Sequence, residues 1–435
     1  MADFDQKLAT FTRCFASLMF RPVAAAFLLA SIILLMSMVV LAQEPATFTT
    51  LYRFSGGATG NSPQAALIRD TAGNLYGTTI SGGTSNSFCS SGCGVVFKLD
   101  ATGKETVLHA FGGGTDGNAP LSRLVADKAG NLYGTTYAGG NTECDGQGCG
   151  TIYKIDPSGN ETILYSFKGG TGASQPVDGL IRDAKGNFYG TTIFGGAYNW
   201  GTVYKVDVTG TETVLYSFTG GTDGGIPASG VIPDGAGGAY GTTASGGSAA
   251  GYDGNGVVFH LDAKGHETVL HTFSGGTDGG YPYTGLIRDA AGNLYGTTVD
   301  GGLVNGACPF GCGVVYQVDP AGNETVLYTF TGLLDGKYPY SVLVRDRGGN
   351  LYGATEGGGT GTICHDKENC GVVFKVDRTG KETVLYDFHG GSDGGTPNGS
   401  LLGDASGDLY GTTPYYGKSG CGGSGCGTVF KVSAQ

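Results

Sequence analysis

Five aspartates recur in a glycine-rich setting close to GGTDGGxP, at Asp116, Asp223, Asp278, Asp335 and Asp393. Carboxylates repeated in this way could ring a channel mouth and bind Ca2+ or sugar hydroxyls. The same residues serve an Asx turn that stiffens a Gly-rich loop before Pro, and that reading is preferred, because a group repeated so often is seldom a single active site. Ten of the eleven cysteines form five local pairs: Cys89/Cys93, Cys144/Cys149, Cys308/Cys312, Cys364/Cys370 and Cys421/Cys426. Zinc needs four converging ligands and each pair offers two, so these read as disulfides. Residues that stand outside any repetition are better candidates for a site. They are Tyr198 with Asn199 and Trp200, Phe310, the cluster His365-Asp366-Lys367-Glu368, and Tyr415 with Tyr416. Aromatics beside polar groups suit stacking on sugar rings or peptide side chains, and a His among acidic neighbours suits acid-base work. Against this, Trp200 takes the place of a second cysteine and could simply fill its space, and the charged cluster could be a solvated loop tip. His365, Asp366 and Glu368 are the only catalytic candidates. Of the other histidines, His109 and His271 replace a repeated Tyr, His260 replaces a Lys and His266 lies in a turn. The chain has no nucleophile elbow, HExxH, P-loop or Rossmann fingerprint, which weakens an enzyme reading without removing it.

These residues hang on a repeat. A turn reading roughly D-x-x-G-N, followed by LYGTT or a close variant, recurs with its Tyr at Tyr76, Tyr133, Tyr189, Tyr240, Tyr295, Tyr352 and Tyr410. A fixed period of this length signals a solenoid, propeller or array. Each copy holds four runs of strand character, a to d, in the first copy at residues 66–70, 74–79, 95–100 and 105–111. Tight Asp/Gly turns join a to b and c to d. Strand c alternates, with Val95, Phe97 and Leu99 on one face and Val96, Lys98 and Asp100 on the other. No stretch beyond residue 45 has a helical period, so the class is all-β with almost no helix. Four antiparallel strands repeated seven times predict a seven-bladed β-propeller. The last copy stops after strand c, while the FTTLYRF segment at residues 48–54 reads as a strand d, so the first strand is expected to close the last blade. The long b-c and d-a connections then share one face, and binding residues concentrate in such loops. The cysteine pairs and the singular residues all lie in b-c loops. The a-b turn aspartates, present in every copy from Asp70 to Asp404, read as structural.

Gly supplies 85 of 435 residues, an excess that the periodic apolar positions place in turns and loops of a packed fold. Residues 1–42 carry Lys7, Arg13 and Arg21 before an uncharged run at 23–42, the pattern of an export signal that, uncleaved, would serve as a membrane anchor. Residues 43–435 are read as one propeller domain. Without the leader, 22 basic residues face 35 acidic ones, a net charge of −13. That balance disfavours nucleic acid and anionic polymers, and leaves neutral glycans, extracellular proteins and cations as partners.

The GNLYGTT string, the C-G-V-V-F-K-x-D strand and the ETVLYSF strand, recurring in order over residues 48–435, resemble the bacterial Gloeobacter/Verrucomicrobia (GloVer) tandem-repeat proteins. The resemblance implies a secreted or surface-anchored repeat protein and no particular activity. More distantly, D-x-x-G-N-x-Y is similar to NHL-type and gluconolactonase-like propellers, whose channel metal ligands find no counterpart here residue by residue. The sequence therefore leads to a monomeric extracellular module that binds a glycan or protein through its loop face. No cofactor is called for, with Ca2+ as the candidate if one is used. The alternatives are a carbohydrate-active hydrolase or lyase at the channel mouth, and a purely structural surface protein.

Overall fold

One aspartate organises each a-b hairpin. In blade 1 the Asp70 carboxylate accepts the backbone N–H groups of Ala72 and Asn74 at 2.9 Å, the Asn74 amide at 2.7 Å and the Tyr76 hydroxyl at 3.0 Å. The recurring letters D-x-x-G-N-x-Y are thus one hydrogen-bonded unit. It repeats at Asp127, Asp183, Asp289 and Asp346. In blade 4 Gly238 replaces the Asn, and His260 Nε2 reaches Asp234 at 3.0 Å instead.

The computed structural model describes residues 46–433 except 142, 145, 365–368 and 419. The leader expected at 1–42 lies outside them. Among the described residues there is no α-helix, only short 3-10 turns, and no helix long and apolar enough to cross a membrane. The strands form seven antiparallel sheets in the order a-b-c-d, the blades of a β-propeller. In blade 1 they are Ile68–Arg69, Leu75–Thr79, Val95–Leu99 and Glu105–Ala110. In blade 7 they are Leu402–Gly403, Asp408–Thr413, Thr428–Ser433 and, from the start of the chain, Thr47–Arg53. That first strand pairs antiparallel with Thr428–Ser433 and closes the ring as expected. Blade 3 adds a short strand, Ala173–Pro176, against an extended strand b, Phe188–Gly195.

Strand a is shorter than its apolar run suggests. Its first residues leave the ladder because side-chain hydroxyls take over: Ser122 Oγ accepts the Thr135 N–H at 2.8 Å and Ser341 Oγ the Ala354 N–H at 2.6 Å.

Aromatic rings lock neighbouring blades. The Phe after each strand d meets the strand-c aromatic of the next blade edge-on, from Phe111 and Tyr153 at 5.0 Å round to Phe54 and Phe97 at 5.2 Å across the closure. The Gly of LYGTT makes room for that ring, since a Cβ on Gly77 would stand 2.7 Å from Phe97 Cζ. These rings are fully buried. On the side of the a-b turns, Arg69 covers the Tyr410 ring of blade 7 at 5.3 Å and pairs with Asp404 at 2.8 Å.

Candidate functional site at the channel mouth

Strand a is the innermost of each blade, and the residues leading into it line a central channel. A recurring Pro fixes this approach, and the residue following it varies from blade to blade, only Tyr occurring twice: Gln64, Leu121, Val177, Ala228, Tyr283, Tyr340 and Asn398. The residue before that Pro is left-handed each time, with φ of 54° to 60° from Ser62 to Thr396, including β-branched Ile226. A hydrogen bond to the previous blade holds it there, such as Ile226 N–H to the Trp200 carbonyl at 2.8 Å. Strain of this kind persists only where the surroundings over-determine it.

On the loop face the channel opens into a cavity of about 470 Å³ lined by Gln64, Leu121, Asp178, Phe194, Tyr252, Tyr283, Tyr340 and Asn398, among others. It is larger than the lower end of ligand pockets, about 300 Å³. The Tyr283 and Tyr340 rings stand 6.0 Å apart, and Tyr281 stacks beside Tyr283 at 6.4 Å. Asn398 Oδ1 is buried and makes no hydrogen bond. Asp178 Oδ1 accepts the Arg123 N–H at 3.2 Å and is the one ionisable carboxylate among the residues lining this cavity. Nearby, burial raises Asp300 to about 6. Burial first, then the charges of Glu356 and Asp300 among others, raises the Tyr340 hydroxyl, and burial raises Tyr283.

The residues singled out by the sequence lie elsewhere. Asp223 Oδ2 accepts from the Tyr216 hydroxyl at 3.0 Å and Thr219 N–H at 2.9 Å; Asp335 holds Tyr328 at 2.8 Å; Asp393 holds Tyr386 at 3.0 Å. Asp278 accepts the Ser274 N–H at 2.9 Å, and Asp116 lies 3.2 Å from His109. All five are turn aspartates tied to strand d, at the outer edge of the ring, not at its mouth. Phe310 and Tyr198 are exposed loop residues, 75% and 60% accessible, on blades 5 and 3. Tyr415 and Tyr416 are half-buried in the blade 7 loop. These loops are not brought together. His365, Asp366 and Glu368 fall outside the described residues.

All five cysteine pairs are bonded, Cys89–Cys93, Cys144–Cys149, Cys308–Cys312, Cys364–Cys370 and Cys421–Cys426, with Cα separations of 5.2 to 5.5 Å. Such bridges fit an oxidising environment. The pairs lie in the b-c loops as the sequence places them, and Cys93, Cys149, Cys312, Cys370 and Cys426 are fully buried in the core between blades. The physical reason is packing: each bridge lies under a left-handed Gly of a neighbouring d-a loop, whose missing side chain leaves room for sulfur. Cys93 lies so beneath Gly113, Cys149 beneath Gly169, Cys312 beneath Gly332, Cys370 beneath Gly390 and Cys426 beneath Gly56. Trp200 occupies the same seat under Gly220, where a Cβ would lie 2.5 Å from its ring, and Asn255 does so under Gly275. Trp200 therefore fills the space of a missing disulfide, and its ring backs Tyr252 of the mouth at 4.9 Å.

The sequence profile of the Gloeobacter/Verrucomicrobia repeat matches residues 39–182, 141–364 and 302–435. The chain belongs to that repeat family. No curated protein sequence matches it. Among solved structures, the selenomethionine form of virginiamycin B lyase from Staphylococcus aureus is similar with a TM-score of 0.54 at 11% identity, over 89% of this chain and 99% of that one. A catalytically inactive variant of that lyase with quinupristin gives 0.53 at 10% identity over the same 89% and 99%. A gluconolactonase from Xanthomonas campestris gives 0.43 at 14% identity, over 92% of this chain and 93% of that one. At such identities the likeness is one of fold. Sequence reasoning missed the mouth residues of this family member, although a signal was present: one position after a constant Pro that takes six different residue types in seven repeats.

Proposed function

We propose that this GloVer-type propeller is an extracellular binding module that takes a neutral glycan at the channel mouth. The observation that carries this reading is a single cavity combining paired tyrosine rings, Tyr283 and Tyr340, with the unpartnered acceptor of Asn398 and the carboxylate of Asp178. Aromatic faces stack on the apolar faces of sugar rings, and amide and carboxylate oxygens receive their hydroxyls. The five disulfides and the export-signal pattern support an extracellular place, and the net charge of −13 without the leader disfavours anionic polymers. Electrophoresis through gels containing neutral polysaccharides tests it. One of them should retard the wild type, and Y283A/Y340A should run freely while F310A is still retarded. Equal retardation of all three would overturn the assignment.

The second reading is a carbohydrate-active hydrolase or lyase at the same mouth. It is favoured by Asp300, a carboxyl raised to about 6 by burial beside the tyrosine cluster, suited to acid-base work near neutral pH. Products released by the wild type from the retarding glycan, and lost in D300N, would select it.

A further inference from the structure

A different part of the molecule carries a site of its own. Glu161 opens strand d of blade 2, Glu161–Ser166, and reaches across the seam to the end of strand d of blade 1. There His109 Nε2 stands 3.2 Å from Asp116 Oδ1 and 3.8 Å from Glu161 Oε1. One donor atom from each of the three residues lies within 4.8 Å of the others. Glu161 Oε1 is fully buried without a hydrogen-bond partner, and the Glu161 side chain is only 12% exposed. A buried acceptor beside an imidazole and a second carboxylate is a donor set suited to a metal cation. In a tetrahedral zinc site, ligands about 2.0–2.2 Å from the metal stand about 3.3–3.5 Å apart, and the two distances here bracket that range.

We propose that His109, Asp116 and Glu161 bind a divalent first-row cation, zinc in the first instance, at the seam between blades 1 and 2. The imidazole donor turns the choice away from Ca2+, which prefers oxygen alone. Asp116 is positioned from behind by the Gly112 N–H, and the His109 ring by edge contact with Phe111 at 4.8 Å. At 17% and 26% exposure, His109 and Asp116 leave an opening for the ion and for a water ligand. Sister seams offer a natural control. Tyr216 and Tyr328 stand where His109 does and donate a neutral hydroxyl to Asp223 at 3.0 Å and Asp335 at 2.8 Å. The seam at His271, 3.5 Å from Asp278, is outside the claim.

The test is calorimetric titration of the oxidised, chelator-stripped protein with zinc chloride, alongside H109Y, E161Q and H271Y and their unfolding midpoints. One zinc per chain should bind saturably and raise the wild-type midpoint. H109Y, which installs the sister seams' residue, and E161Q, which keeps the shape, should each weaken binding by more than about tenfold, as loss of a ligand outweighs loss of an outer partner. H271Y should bind as the wild type does. No saturable binding by the wild type, unchanged affinity in E161Q or in folded H109Y, or loss confined to H271Y would each overturn the proposal.

Discussion

Replacing Glu267 and Glu382 with Gln should make the propeller more stable at pH 8 and leave it nearly unchanged at pH 5. Each of these residues opens a strand d and presents a buried, unbonded Oε1 to the turn aspartate of the preceding seam. Burial, then the charge of Asp223, raises Glu267 to about 7, and burial, then Asp335, raises Glu382 to about 7, from an ordinary 4.5. A carboxyl whose folded pKa is raised contributes stability in full below its unfolded pKa, and loses it as pH climbs through the folded value. Staying neutral to about pH 7 corresponds to at most about 3 kcal/mol per group, and partial solvent access reduces this to about 1 kcal/mol each. Gln carries no charge to penalise, so E267Q/E382Q should exceed the wild type by about 2 kcal/mol at pH 8. For about 390 folded residues, whose unfolding entropy is about 0.8 kcal/mol/K, that is about 2–3 °C in Tm. Scanning calorimetry at pH 5, 6, 7 and 8 reads the difference between the two proteins. The difference matters because His271, which burial lowers, loses stability in the opposite direction, as pH falls. A difference that stays flat from pH 5 to 8, or one in which the wild type gains as pH rises, would refute the coupling of these seams to pH.

Three further outcomes follow from the packing. W200A should lower stability by about 2–3 kcal/mol, because a ring seated under Gly220 leaves a void there, and a calorimetric scan with an unchanged Tm would return Trp200 to the ligand candidates. F48A should cost about 3 kcal/mol, since Phe48 stacks on Tyr386 at 3.7 Å and is the residue the closing strand carries where other blades have Glu; denaturant titration checks it. C308A/C312A should cost about 2 kcal/mol by the same titration, as the bridge closes only a short loop.

The period, the strand content and the ring closure could be read from the chain because every repeat states them again. Asp70, Asn74 and Tyr76 are neighbours in sequence and in space, so their shared hydrogen bonds leave a local signature. The seams leave none. Tyr165 and Glu212 meet at 2.8 Å from separate repeats, and nothing local to either announces the other. The pairing of Cys144 with Cys149 was legible from spacing, but the burial of Cys149 was not, because the Gly169 that covers it comes 20 residues later. The mouth was hidden for a related reason. Tyr283, Tyr340 and Asn398 each sit one residue after a Pro in a segment that leaves the strand ladder, so no alternation marks which side chain faces the channel. Trp200 drew notice as the only tryptophan, yet its position in the repeat, that of a second cysteine, was the better guide to its place.

The most direct measurement is the thermal unfolding midpoint of the oxidised wild type and of Y283A/Y340A against a panel of neutral oligosaccharides. A ligand that binds only the folded state raises the midpoint by mass action. If the mouth is the binding site, one oligosaccharide shifts the wild type and leaves the double variant where it was. A panel with no shift, or a shift that survives loss of both tyrosines, would contradict a glycan site at the channel mouth.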